Sequence, residues 1–193
     1  MGGLTAPLDW PAQAVALAPG GTALVLLTLP PHTARPQARR HARQALQQML
    51  GALLARPAQA IILREDARGP LLDGAARDIR ISLSYAANRC LIGLTEGLAI
   101  GVDIVRIENL PESESLARLY LPDAACRALP EAPGAARDAG FALAWAQMEA
   151  RSKCLGLPLA EIDAQREQAL NACALSDCAQ TGAYRIALAT RTL

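Results

Sequence analysis

Ile79-Arg80-Ile81-Ser82-Leu83-Ser84-Tyr85 sets every odd position apolar and every even position polar. Only an extended strand turns a period of two into one apolar face. In Asp103-Ile104-Val105-Arg106-Ile107 the odd positions likewise share a side. Outward from these two segments, short apolar runs bounded by Gly and Pro predict further strands over Ala23–Leu29, Ala60–Arg64, Leu91–Thr95, Ile100–Ile107 and Tyr184–Ala189. Helical spacing predicts helices over Gln37–Ala55, with Leu46, Met49, Leu50, Leu53 and Leu54 on one stripe, and over Ser115–Leu129 and Ala139–Leu155. Strands and helices mix without regular βα alternation, which points to an α+β fold. The Pro- and Gly-containing stretches 30–36, 67–74 and 130–140 are the candidate mobile loops.

The 193 residues, 52% of them hydrophobic, suffice for one ordinary domain or two small lobes. With 19 basic and 18 acidic residues the formal charge is +1, so no global field draws in nucleic acid or a membrane surface. The amino-terminal half is richer in arginine than in acid and the other half is the reverse, as suits phosphate on one side and a cation on the other; scatter gives the same pattern as easily. Cys90, Cys126, Cys154, Cys173 and Cys178 are odd in number and contain no CxxC pair, which argues against a disulfide framework and a zinc site. Apolar stretches are interrupted by Pro11, Pro19, Gly20 and Gly21 well short of membrane-spanning length. A soluble, cytoplasmic protein is the expectation.

Lys153 is the single lysine among those basic residues. It follows Glu149 by four positions and Trp145 by eight, so the three share one helix face. A lysine in a chain that otherwise uses arginine suggests a need for a compact ammonium. That helix alone reads at least as well as an exposed ion pair beside a core tryptophan. Gly101-Val102-Asp103-Ile104 changes the balance, because an acid inside an apolar strand needs a cation and the glycine permits close backbone approach. Two carboxylates, a lysine and several arginines are the parts for holding Mg²⁺ against a diphosphate.

Ile100-Gly-Val-Asp103-Ile, followed by Trp145-Ala-Gln-Met-Glu149-Ala-Arg-Ser-Lys153, resembles the paired signature of the 4′-phosphopantetheinyl transferase superfamily. Ile81-Ser-Leu-Ser84-Tyr85 is similar to that family's S-x-S-H strand, Arg68-Gly69-Pro70 to its G-K-P turn, and Arg43 stands where a family arginine meets coenzyme A. The resemblance covers roughly residues 37 to 190, and the length matches the monomeric Sfp-type branch. It implies two pseudo-symmetric lobes, an amino-terminal one over residues 1–98 holding the nucleotide end of CoA and a second over 99–193 carrying the metal and the catalytic helix, with CoA in the cleft between them. The implied reaction moves the phosphopantetheine arm to a serine of an apo carrier protein of the fatty-acid, polyketide or nonribosomal-peptide type. Asp103 and Glu149 would hold Mg²⁺, Lys153 would contact a phosphate, and Arg43, Arg68, Pro70, Ser84 and Tyr85 would serve the nucleotide end. Because the nucleophile comes from the partner, no Ser-His-Asp triad is required, only alignment, charge neutralisation and a proton acceptor, for which Glu149 or a metal-bound water is the natural choice.

The chain departs from the pattern at several positions. Val105 stands where a second strand acid is common, and Glu108 falls on the opposite face of an extended strand, leaving water to complete a metal shell. Met148 replaces the signature's first lysine, with Arg151 three residues on. Tyr85 stands in place of histidine, Gly69 in the lysine place of the turn, and Ala146 for a small hydroxyl residue. Together these changes imply weaker CoA binding, a specialised substrate, or a catalytically weakened relative that binds CoA or a carrier protein. His32 and His41 read as exposed or helix-surface residues. Arg35, Arg39, Arg40 and Arg43 read mainly as a solvated face, with a docking surface for an acidic carrier as the lesser alternative. Trp145 and Phe141 read as core packing.

Overall fold

The computed structural model describes residues 6–66, 69–74, 77–176 and 179–193. The fold is α+β, as the mixed periods imply, and divides into two compact units, one of residues 6–100 with 192–193 and one of Gly101–Arg191.

In the first unit, strands β1 (Leu8–Trp10), β2 (Thr22–Thr28), β5 (Ile79–Ala86) and β6 (Arg89–Glu96) form a sheet in the order β1-β2-β6-β5. Strand β1 runs parallel to β2, and the other pairs are antiparallel. Helix α1 (Arg35–Leu53) lays Ala42, Leu46, Met49 and Leu50 on Val25, Ile92 and Leu94 of the sheet. The odd face of β5, Ile79 through Tyr85, joins this core. The even residues Ser82 and Ser84 are buried as well, so alternation in β5 separates two buried faces. Strands β3 (Leu63–Asp66) and β4 (Gly69–Leu72) form a separate antiparallel hairpin with Glu65 opposite Pro70.

The strand expected over Ala60–Arg64 is in fact a 3-10 turn at Ala58–Ala60 followed by β3. The Ile61 N–H donates to the Ala58 carbonyl at 3.1 Å, and this local bond removes the start of the apolar run from the ladder. The described part of the expected loop 67–74 contains β4, and the stretches 30–36 and 130–140 run into helices at Arg35 and Ala135.

Strand β7 (Leu98–Arg106) leads into the second unit, whose sheet has the order β7-β10-β8, with β9 on β10; β8 is Ala174–Leu175, β9 Ala179–Thr181 and β10 Tyr184–Thr192. Helix α4 (Ala135–Leu155) ends at Gly156, which takes the left-handed conformation (φ 67°) while the Leu157 N–H closes onto the Ser152 carbonyl at 2.8 Å. The single helix expected over Ser115–Leu129 is two, α2 (Ser113–Tyr120) and α3 (Asp123–Arg127). Pro122 lacks the N–H that would carry one helix into the next, and it stands directly before α3. Helix α5 (Ala164–Leu170) begins where the Asp163 carboxylate accepts the Arg166 backbone N–H at 2.7 Å. Phe141, Ala144 and Met148 of α4 pack with Ala117, Leu121 and Leu170 in this unit's core.

No helix among the described residues is long and apolar enough to cross a membrane. Cys90, Cys126, Cys154 and Cys173 form no disulfide among the described residues, and Cys178 lies outside them.

Candidate functional site

Close packing of one strand on one helix builds the site in the second unit. A β-carbon added at Gly101 would lie 1.9 Å from the Ala150 carbonyl oxygen and 2.4 Å from the Cys154 nitrogen. Strand β7 therefore touches the backbone of α4 itself, an approach open only to glycine. Two residues on, Asp103 is 5% exposed. The Lys153 ammonium reaches it from α4, with Nζ 2.6 Å from Asp103 Oδ1 and 3.2 Å from the Val102 carbonyl. One ammonium donates to both acceptors, a task for a compact point charge.

Glu149, one turn before Lys153, completes the group. Burial pushes its carboxyl above the ordinary value and the negative charge of Asp103 adds to the rise, while Lys153 and Arg166 pull it down. Asp103 and Glu149 thus come from separate elements and act on each other electrostatically, a conflict that a cation between them would relieve. Hard oxygen donors in this number suit a divalent cation that keeps water and takes further oxygens from a phosphate. Among the described residues no group of three His, Cys, Asp or Glu side chains gathers. Val105 adds no donor, and Glu108 is exposed, 3.9 Å from Arg106.

Sequence reasoning missed Arg166. On α5, its guanidinium donates to Ser152 Oγ at 3.1 Å and to the Pro158 carbonyl at 2.7 Å, which places it beside the turn of α4 that bears Glu149. Met148, expected to leave a charge gap near phosphate, is 2% exposed within the apolar core, and its sulfur lies 3.7 Å from Ser152 Oγ. Trp145 packs on Phe141 and Tyr120 with ring centroids 5.6 and 5.7 Å apart, a core role as expected.

The first unit holds a second cluster. Arg43 donates to the Leu63 carbonyl and, at 3.3 Å, to Glu65 Oε1, which ties α1 to the β3–β4 hairpin at the level of Pro70. Tyr85 is near enough to this place to respond to Arg39 and Glu65. Burial holds its phenol well above the ordinary range, Cys90 reinforces this and Arg39 opposes it, so the side chain stays protonated and able to donate a hydrogen bond. Arg39 is exposed, as a solvated helix face requires, and its charge is felt at Tyr85. Ser84, adjacent in sequence, is 6% exposed and belongs to the opposite face of β5. Arg68 lies outside the described residues. His32 and His41 line an open groove with Pro30, Thr33, Arg40 and Gln44.

No curated protein matches the chain. Residues 99–188 match a family model, and that match takes in β7 with Asp103, all of α4 and most of β10. That model is the one for the 4′-phosphopantetheinyl transferase superfamily, and residues 99–188 are similar to it.

Proposed function

We propose that the protein is a phosphopantetheinyl transferase of the Sfp-type branch, acting as a holo-carrier-protein synthase. It moves the 4′-phosphopantetheine arm of coenzyme A to a serine hydroxyl of an apo acyl or peptidyl carrier protein. The observation that carries this reading is the convergence of Asp103, Glu149 and Lys153, from a strand and a helix, in the unit that matches the family.

In the reaction the serine oxygen forms a bond to the phosphorus bearing the pantetheine arm, and the bond from that phosphorus to the nucleotide's phosphate breaks. A magnesium ion held by Asp103 and Glu149 supplies charge neutralisation to the diphosphate when bound. Glu149, whose proton affinity is raised by burial, takes the serine proton. Lys153 fixes Asp103 through its 2.6 Å contact and brings a positive charge to the phosphate side. Arg39, Arg43, Pro70, Tyr85 and, by the family pattern, Arg68 and Ser84 serve the nucleotide end, where Tyr85 offers a neutral donor in place of histidine.

Incubation with CoA, Mg²⁺ and a panel of apo carrier proteins tests the proposal by mass spectrometry. One carrier gains the mass of a phosphopantetheine arm at a single serine. Absence of that gain across the panel, with CoA bound, refutes transfer. The second reading, a CoA- or carrier-binding relative without transfer, draws on Val105 and on the lysine missing at position 148. It predicts CoA affinity indifferent to Mg²⁺, whereas the transferase reading predicts Mg²⁺-dependent affinity that collapses in Asp103→Ala.

A further inference from the structure

Arg166 occupies a position the family signature does not describe. Its backbone is set by the Asp163 cap, and one terminal nitrogen bridges Ser152 Oγ and the Pro158 carbonyl. The guanidinium therefore clips α4 to the loop that follows it. Both acceptors are neutral, and no carboxylate lies within ion-pair distance of Arg166 among the described residues. Its Nε is buried without a hydrogen-bond partner among those residues. A half-buried cation held by neutral groups keeps its charge uncompensated and is stabilised by an anion placed nearby. Ser152, which accepts from the guanidinium, stands three residues from Glu149 on α4. Meanwhile Met148, at the place of the signature lysine, is buried in the core and brings no charge.

We propose that Arg166 is the second fixed cation of the Glu149 site, seated between α4 and the loop after it, where its charge offsets the negative charge of Asp103, Glu149 and the donor's diphosphate. This rests on the transferase reading and assigns to α5 the task that position 148 does not perform. The order of dependence is physical: Asp103 and Glu149 bring two negative charges, the diphosphate brings more, and Lys153 is already engaged with Asp103. A metal held by the two carboxylates would offset part of this charge, and a further fixed cation lowers what remains, an effect on donor binding that shows in KM more than in the transfer itself.

The test compares Arg166→Gln, Arg166→Lys and Ser152→Ala with the wild type for thermal unfolding, for CoA affinity by calorimetry at two salt concentrations, and for KM and kcat of transfer. Arg166→Gln raises KM and Kd for CoA by about tenfold or more and flattens the salt dependence, while kcat changes by less than about threefold. Arg166→Lys restores most of the affinity, because it keeps the charge while losing the fork. Ser152→Ala, which removes one clip acceptor and leaves the charge, stays within about twofold of the wild type. Wild-type affinity in Arg166→Gln, equal losses in the Gln and Lys variants, or a Ser152→Ala loss as large as that of Arg166→Gln would each overturn the proposal. Failure of the wild type to modify any carrier sinks the transferase reading instead, a result separate from these comparisons.

Discussion

Lys153 Nζ sits 2.6 Å from Asp103 Oδ1, although the two residues are 50 positions apart. The Asp103 side chain is 7% exposed and that of Lys153 29%. The pair is therefore asymmetric: the carboxylate depends on the ammonium, and the ammonium still reaches water. Lys153→Met leaves the buried acid without this partner. The expected cost is about 3 kcal/mol, at the low end for one-sided loss of a buried ion pair, because Lys153 is partly solvated. Urea unfolding measures it. Adding Asp103→Asn to Lys153→Met should recover more than half of the loss, since the stranded charge is then gone.

Gly101 fixes the distance between that strand and that helix. Gly101→Ala forces a β-carbon into the Ala150 carbonyl and the Cys154 nitrogen, both backbone atoms that no rotamer change can move. Strand and helix must separate, carrying Asp103 away from Glu149 and Lys153. The variant should lose about 3 kcal/mol or more of stability and bind CoA with Mg²⁺ at least tenfold more weakly. Thermal unfolding and calorimetry check the two effects. A variant of wild-type stability would contradict the close approach on which the site geometry rests.

Much of this geometry was legible before the fold. The alternation in Ile79–Tyr85 and the acid and glycine of Gly101-Val102-Asp103 showed what the strands do, and Glu149 and Lys153 were placed on one helix face by their spacing alone. The remainder depends on tertiary neighbours. Arg39 is exposed, as α1 by itself suggests, but nothing in α1 says that its charge is felt at Tyr85 of β5. Arg166 sits on a helix of seven residues, too short for a period to reveal, and its role follows from Ser152 on another helix. Met148 was read by motif position, yet its neighbours Leu121 and Leu170 decide which way it points. Strands as short as β1, β8 and β9 carry no repeat, and Pro122 is as compatible with starting a helix as with ending one.

Glu149 makes stability depend on pH with a definite sign. Its folded-state proton affinity is raised above the ordinary 4.5 by burial first and by Asp103 second. Between the unfolded and folded titrations the native state binds more protons, so stability is full below about pH 4.5 and is lost as pH rises through the folded pKa. Glu149→Gln removes this dependence. Unfolding free energies measured between about pH 4 and pH 7 should fall less steeply in the variant, which is the more stable protein at neutral pH. Mg²⁺ should raise the wild-type melting temperature near neutral pH and leave that of Glu149→Gln nearly unchanged. An identical Mg²⁺ response in both proteins would remove Glu149 from the metal site.

Restoring the signature lysine tests whether motif or packing governs position 148. By motif alone, Met148→Lys returns a phosphate-binding charge and strengthens CoA binding. Packing says otherwise, because Met148 is 2% exposed among Leu121, Phe141 and Leu170, where an ammonium has no anion and no water. An unpaired charge in such a place either loses its proton or drives local unfolding. The expected result is destabilisation of about 3 kcal/mol or more, read by urea unfolding, with no gain in CoA affinity by calorimetry. Arg166→Gln in the same assay is expected to lose affinity while keeping its fold. The two variants together separate a cation that the sequence motif would supply from the one that α5 supplies. A Met148→Lys protein that folds normally and binds CoA more tightly would show that the helix face turns readily, and that the core position of Met148 does not set the charge of the site.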